Sequence, residues 1–191
     1  MLRDIVIKNR SYRRFFQDHA ISQDELKGLV DLARLSPSAA NMQPLKFFIS
    51  SDPETNARIF PFLAWAAYLK DWPGPIEGER PSGYIIILGD KSITTNFWCN
   101  HGIAAQSMLL GAVEKGLGGC MIAAINKKGL SDAFNIPEHY EILLVIALGK
   151  PKEEVRIEDL GPDRDIKYFR DASGVHHVPK RSLNEVIVER F

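Results

Sequence analysis

Apolar residues along the chain recur with two periods, and the switches between them divide it into elements. From Ser22 the pattern is helical: Leu26, Leu29, Val30 and Ala33 fall at i, i+3, i+4 and i+7. Ser22 with Glu25 makes a capping box and Ile21 with Leu26 occupies staple positions, so a helix is predicted that ends near Leu35, before Pro37. Leu45 to Ser51 is rich in Phe and Ile and predicts a strand. Asp52 and Pro53 read as the cap and first position of a further helix running to about Leu69. "YIIILG" and "EILLVIALG" are continuous apolar runs bounded by turn signals, the pattern of strands buried on both faces. Between them, Thr95 to Lys115 predicts the longest helix, apolar nearly all round and ended by Gly116, Gly118 and Gly119. "CMIAAI" reads as a short strand, "KGLSDAFNIP" as a short helix stopped by Pro137, and Leu2 to Lys8 as a short opening helix.

Two stretches carry no regular period. Asp71 to Gly83, "DWPGPIEGERPSG", has prolines and glycines at a density that predicts a loop, one suited to cover something. Beyond Gly149 the chain turns charged and loop-like. Residues 150–191 are too short for a second domain, so 1–191 is expected to be a single domain whose C-terminal extension wraps its own core or a partner subunit.

Composition narrows the function classes. The 191 residues are 45% hydrophobic and 25% charged, which fits a globular domain with a sizeable core. Lys plus Arg and Asp plus Glu both total 24, so no global field favours nucleic acid or an anionic membrane, and local clusters must carry any anion recognition. "GIAAQSMLLGAV" falls short of a membrane span and carries Gln106 and Ser107. The N-terminal stretch lacks the features of a secretory signal, and the two cysteines show no metal or Cys-x-x-Cys spacing. A cytoplasmic protein without a structural metal is expected. Cys120 is read as a buried small hydrophobe. His176-His177 is read as a partly exposed loop pair, since no cysteine or carboxylate stands at ligand spacing. No Gly-x-Ser-x-Gly, Walker loop or Gly-x-Gly-x-x-Gly is present, which speaks against a serine hydrolase, a P-loop enzyme and a Rossmann dehydrogenase.

Three clusters could carry chemistry. Arg10, Ser11 and Arg13 offer guanidinium forks and a hydroxyl to phosphate oxygens, or form a solvated basic patch. Lys180-Arg181 precedes Ser182, which with Glu185 repeats the capping-box pattern, so the pair is either an anion site at a helix start or two exposed cations. Ser38, Asn41 and Gln43 could hydrogen-bond a planar heterocycle while Ala39 and Ala40 let the backbone approach it; the alternative is a loop whose amides satisfy their own backbone.

Taken in order, "NRSYRRF", "LARLSPSAANMQPLKFFI", "GIAAQSMLLGAVEKGLGGCMIAAI", "IPEHYEILLVIALGKP" and "VPKRSL" resemble the flavin-dependent nitroreductase family over nearly the whole chain. The most specific element is Pro-Ser-x-x-Asn-x-Gln-Pro. The resemblance implies an α+β nitroreductase-like fold, a central mostly antiparallel sheet flanked by helices, and an intertwined homodimer with FMN at the subunit interface. By the same resemblance, Arg10, Ser11, Arg13, Lys180 and Arg181 would hold the phosphate and ribityl chain. Pro37, Ser38, Ala39, Asn41 and Gln43 would line the isoalloxazine and ribityl side of a flavin held mainly by the other subunit. Ile122, Ala123 and Ala124 align with the family's stretch that offers backbone N–H groups to the ring. This chain departs from the family pattern at Ala123-Ala124, where many relatives have Glu-Gly or Gly-Ser. Leu45 replaces a common tryptophan and His101 a common acidic residue.

The implied function is NAD(P)H-dependent reduction of an electron-poor small molecule, nitroaromatic or quinone, by ping-pong hydride transfer with no obligatory protein acid or base. Two other readings stay open on the same residues: a dehalogenating or flavin-consuming enzyme on the same fold, and a flavin-binding sensor or storage protein. Trp65, Tyr68 and Trp72 could add aromatic surface near the acceptor, with core packing as the alternative for Trp65.

Overall fold

The two periodicities build a sheet with helical cover on each face. A computed structural model describes residues 1–188; the final three positions of the expected domain lie outside the described residues. The elements run α1 (Leu2–Lys8), β1 (Phe15–Phe16), α2 (Gln23–Leu35), β2 (Leu45–Ser50), α3 (Pro53–Ile59), β3 (Gly83–Asp90) and α4 (Asn100–Glu114). They continue as β4 (Gly118–Ile122), α5 (Lys127–Phe134), β5 (Tyr140–Pro151), β6 (Val155–Asp159), β7 (Phe169–Arg170), β8 (His176–Lys180) and α6 (Leu183–Val186). Among the described residues, no helix is long and apolar enough to cross a membrane.

The apolar run "EILLVIALG" becomes the organising strand. One edge of β5 pairs with β3, which pairs in turn with β2, and beyond β3 the same edge pairs with β1 at Lys150–Pro151; the other edge carries β4 along Val145–Gly149. Every one of these pairings is antiparallel, as the family resemblance implied. Strand alternation sends Ile85, Ile87, Leu144, Ile146 and Leu148 to one face, under α2 and α4. Tyr84, Ile86, Leu88, Val145 and Ala147 go to the other, with Trp65, Cys120 and Leu130. All of β3 is buried, which is why its sequence shows no polar alternation. The predicted cap of α2 forms as read: Ser22 and Glu25 exchange hydrogen bonds, and Ile21 and Leu26 are buried.

Several boundaries differ from the sequence expectation, each for a local reason. The helix from Pro53 stops at Ile59 and gives way to a 3-10 turn over Phe60–Phe62, because Pro61 cannot continue the ladder; Leu63 is already extended, bridged to Ile125. The long helix starts at Asn100 rather than Thr95, since Phe97 folds back onto Gly89, where a Cβ would lie 2.5 Å from its ring. That helix is also less enclosed than its composition implies: Gly102 and Gln106 are exposed, and Ile103, Leu110 and Val113 only half-buried. The strand read as "CMIAAI" runs from Gly118 to Ile122, leaving Ala123 and Ala124 beyond the ladder. The charged extension is not loop-like throughout. β6 and β8 pair in parallel and β7 pairs antiparallel with β8, making a separate three-stranded sheet. The histidine pair lies in β8 and is buried, not on an exposed loop.

That small sheet and the N-terminal segment are tied by two buried carboxylates. Glu153 accepts from the backbone N–H groups of Arg13 and Arg14 and from Arg170 Nη2 at 2.9 Å. Glu79, from the loop preceding β3, accepts from Arg14 Nε and Nη2, both at 2.6 Å, and lies 3.1 Å from Lys152 Nζ. The Arg14 hydrogen bonds bring the Glu79 carboxyl from 4.5 down to about 2. A depressed folded-state pKa stabilises the fold above the unfolded value and loses that contribution as pH falls through the folded one. Glu79→Gln is therefore expected to cost about 3 kcal/mol at neutral pH, the scale of breaking a buried pair. The gap to wild type should close as pH falls from 4.5 toward about 2. Urea unfolding at neutral and acidic pH measures both, and equal stability at neutral pH would show that the pair contributes nothing.

Candidate functional site

The site begins where the N-terminal segment meets β4. Ser11 forms a parallel bridge with Gly119, and the Tyr12 N–H donates to the Gly119 carbonyl at 3.1 Å. Gly119 is needed here because a Cβ would stand 2.3 Å from the Ala147 carbonyl oxygen on β5. Beside this junction opens a cavity of about 320 Å3. Arg10, Ser11 and Arg13 line it from the N-terminal segment, Gln106 from α4, Gly119 and Met121 from β4, and His176, Val178 and Lys180 from β8. The two basic clusters of the sequence therefore meet, with one exception. Arg181 does not line the cavity; its guanidinium lies 3.9 Å from Glu185, and α6 is a single short turn.

The structure sorts the three arginines of "NRSYRRF" by partner. Arg14 is spent on Glu79. Arg10 donates from Nη2 to the Val6 carbonyl at 2.7 Å, and its Nε is buried with no partner. Burial lowers the Arg10 pKa, but a guanidinium remains charged. Arg13 donates from Nη1 to the Ser11 carbonyl at 3.2 Å, stands 3.3 Å from His176 Nε2 and lies over the Tyr168 ring at 4.8 Å. Among the described residues, no carboxylate pairs with the side chains of Arg10, Arg13 or Lys180, so three cations face one cavity.

Alternation along β8 explains its two roles. His176, Val178 and Lys180 face the cavity, whereas His177 points the other way, with Nδ1 on Glu158 and Nε2 on Asp171 at 3.0 Å. Phe169 stacks on the His177 ring, 4.7 Å away and 7° from parallel. Hydrogen bonds to Asp171 and Glu158 raise the His177 pKa. Burial brings His176 down to about 4, reinforced by Arg13, Arg170 and His177, so it is neutral at physiological pH.

A second cavity of about 190 Å3 adjoins the first, sharing Arg13, Met121 and Tyr168 with it. It runs along Ile122, Ala123 and Ala124 under Ala64–Ala67, and Trp65 forms part of its wall while remaining in the core. The Ala124 carbonyl accepts from the Ala64 N–H at 2.9 Å, which fixes the strand end. Burial pushes the Cys120 thiol up to about 12, consistent with a packing role. Tyr68 packs on Tyr168 at 5.0 Å, and Arg170 lies over Trp72. The loop from Asp71 lines neither cavity.

Pro37, Ser38 and Gln43 line a different cavity, about 230 Å3, with Asn100. The loop holding them is strained: Ala40, Asn41 and Gln43 have φ of 49°, 53° and 50°. Its hydrogen bonds are partly internal. The Gln43 N–H donates to Ser38 Oγ at 3.0 Å and Gln43 Nε2 to the Asn41 carbonyl at 3.2 Å. Asn100, buried at the start of α4, accepts from the Ala39 N–H at 3.0 Å and anchors the turn. Asn41 and Gln43 are exposed. No residue lines both this cavity and the basic one, so within one chain the two groups stay apart.

Tyr168, His176, Gln106 and Asn100 were not singled out as site residues by sequence. The spacing His176, Val178, Lys180 was a readable signal, hidden by the expectation of a loop; nothing local marks Tyr168 or Asn100.

A model described as the nitroreductase family matches residues 7–150. The YodC protein of Bacillus subtilis (strain 168), provisionally named an NAD(P)H nitroreductase, is 27% identical over 177 residues, covering 77% of this chain and 88% of its own. A nitroreductase family protein from Streptococcus pneumoniae TIGR4 superposes with a TM-score of 0.70 at 17% identity, covering all of both chains. An FMN-dependent nitroreductase from Clostridium difficile R20291 does so with a TM-score of 0.64 at 23% identity, covering 78% of this chain and 87% of that one. At these identities the two structures establish the fold.

The left-handed φ at Ala40 has a direct test. Ala40→Gly should stabilise the protein by about 0.5 to 1 kcal/mol, relief of strain outweighing the extra freedom of the unfolded chain. Ala40→Val should destabilise it by more than about 1 kcal/mol. Urea unfolding reads both; a glycine variant weaker than wild type would contradict the loop conformation.

Proposed function

This chain belongs to the nitroreductase family, and we propose that it is an FMN-dependent oxidoreductase that takes reducing equivalents from NAD(P)H and passes them to an electron-poor small molecule of nitroaromatic or quinone type. The observation that carries the reading is the convergence of Arg10, Arg13 and Lys180 on one cavity, with no carboxylate on their side chains among the described residues. A phosphate monoester carries nearly two negative charges at neutral pH, and a buried, partnerless Arg10 Nε adds a donor in want of an acceptor. The residues fit such a group.

The adjacency of the two cavities supports an elongated ligand with its charged end at Arg10, Ser11, Arg13 and Lys180. Its planar end would lie along Ile122, Ala123 and Ala124, whose backbone N–H groups lie at or beyond the end of the ladder. Donors fixed by the fold cost no reorganisation when charge develops beside them. Bound FMN would supply the redox chemistry, in alternating half-reactions with donor and acceptor. The chain's own residues bind it, orient it and hold cations near its phosphate.

The same reading assigns the second copy a part. Pro37, Ser38, Ala39, Asn41 and Gln43 present a preshaped polar turn away from the basic cavity, and a homodimer would bring it against the partner's ligand. The face formed by α1, α2 and α4 leaves Leu2, Val6, Ile7, Leu32 and Leu35 exposed, an apolar surface suited to such an interface. Arg181, outside the cavity and beside Glu185, takes no part in this reading.

The purified protein is expected to be yellow, to release FMN on denaturation, to bleach with NADH or NADPH under anaerobic conditions and to recover with a quinone or nitroaromatic. A colourless protein that takes up no added FMN would overturn the reading; FMN without turnover would leave a binding protein. Arg10→Ala and Arg13→Ala should each weaken FMN retention about tenfold or more, the scale of a charge-assisted hydrogen bond. Arg14→Ala should instead lower the melting temperature, with little change in affinity per folded molecule. Unchanged flavin occupancy in the Arg10 and Arg13 variants would remove their assigned role.

A further inference from the structure

The geometry points to His176 as a positioning residue: it holds one end of the Arg13 guanidinium so that the opposite edge faces an anion. This inference rests on reading the basic cavity as a phosphate site. Arginine has five donors. Both N–H groups of Arg13 Nη1 have acceptors, the Ser11 carbonyl at 3.2 Å and His176 Nε2 at 3.3 Å. The Nε and Nη2 groups remain, and these form the edge that meets two oxygens of a phosphate at once. The Tyr168 ring, 4.8 Å from the guanidinium carbon, limits tilting of the plane.

A guanidinium cannot accept a hydrogen bond, so His176 Nε2 must be unprotonated and the ring's proton must sit on Nδ1. Nδ1 is buried without a partner, so the ring's placement is not explained by its own hydrogen bonding. Burial of His176, 1% exposed, keeps the ring neutral and the acceptor in place. The strand supports the arrangement from behind. His177, next in β8, is pinned by Glu158 and Asp171 on the opposite face, which fixes the register that delivers both His176 and Lys180 to the cavity.

The test compares FMN with riboflavin, which lacks the phosphate, by titrating protein freed of flavin and following flavin fluorescence. In wild type FMN should bind far more tightly. His176→Leu should lower FMN affinity about tenfold while leaving riboflavin affinity unchanged. His176→Gln, whose carbonyl oxygen reaches the position of Nε2, should keep FMN affinity within about threefold, whereas His176→Asn, whose oxygen replaces Nδ1, should behave like leucine. In an Arg13→Ala background, His176→Leu should have no further effect. Equal losses for FMN and riboflavin, or a leucine effect that persists without Arg13, would make His176 merely structural and overturn the proposal. If the leucine variant does not fold, the Gln and Asn variants decide, and equal FMN affinities there would overturn it. A wild type that binds FMN no better than riboflavin would overturn the phosphate reading itself and this inference with it, an outcome separable from the rest because it appears before any substitution.

Discussion

The pairing of both edges of β5 is the constraint on which the rest depends. One edge carries β3, and through it β2, and then β1 at its end; the other carries β4, all within a single strand of twelve residues. The segment leading into β1 lies against β4, where Ser11 is set against Gly119. Gly119 has β5 on one side and the arginine segment on the other, and contact with the Ala147 carbonyl leaves no volume for a side chain. A bulkier residue there would push β4 from β5 or Ser11 from β4, and either shift would move Arg10 and Arg13 relative to Lys180. The basic cavity is thus a consequence of backbone packing before it is a matter of charge.

Charge then acts by selection among similar residues. Three arginines within five positions are equivalent in sequence, yet they meet different surroundings. Arg14 finds a buried carboxylate and becomes part of the framework; Arg10 and Arg13 find carbonyls and a neutral histidine, and keep their charge available. The carboxylates that anchor this region hold Arg14, Lys152, Arg170 and backbone N–H groups, not the side chains that face the cavity. An overall charge of zero hides this arrangement, because the balance is struck locally and unevenly. That is why a balanced composition, which offers nucleic acid no global field, says nothing about an anion of one or two charges.

What could be read in the sequence follows the range of the forces involved. The cap of α2, the continuous runs of β3 and β5 and the glycine end of α4 are set by neighbours within a few residues, and all were legible. Pro61 is an equally local signal, and the helix from Pro53 stops before it, short of the expected Leu69. The extension beyond Gly149 was misread because its strands are held by partners far along the chain. β6 and β8 lie about twenty residues apart and pair in parallel, and their side chains mix charge with apolar groups on short strands that leave no clean alternation. Motif resemblance grouped Arg10, Ser11, Arg13, Lys180 and Arg181, of which all but Arg181 line one cavity, and it had no means of finding Tyr168 or Asn100, whose importance lies in what folds onto them.

The turn from Ser38 to Gln43 bears on why a chain would keep two half-sites apart. Three non-glycine residues at positive φ cost of order 1 kcal/mol each or more, and one is alanine, which has no side-chain hydrogen bond to offset it. Asn100 answers part of that cost with a buried hydrogen bond, as do the bonds inside the turn, and the outcome is a rigid shape with Asn41 and Gln43 outward. A loop serving only to join α2 to β2 could relax this strain with glycine. Strain held in place by a buried amide is what a surface requires when it must be preformed before its counterpart arrives, because a flexible turn would pay the ordering entropy at the moment of contact. On the proposed reading the counterpart is a flavin seated on the second copy, and the rigidity of the turn is then the same design as the fixed edge of Arg13: both surround a ligand with groups whose directions are decided by the fold, not by the ligand.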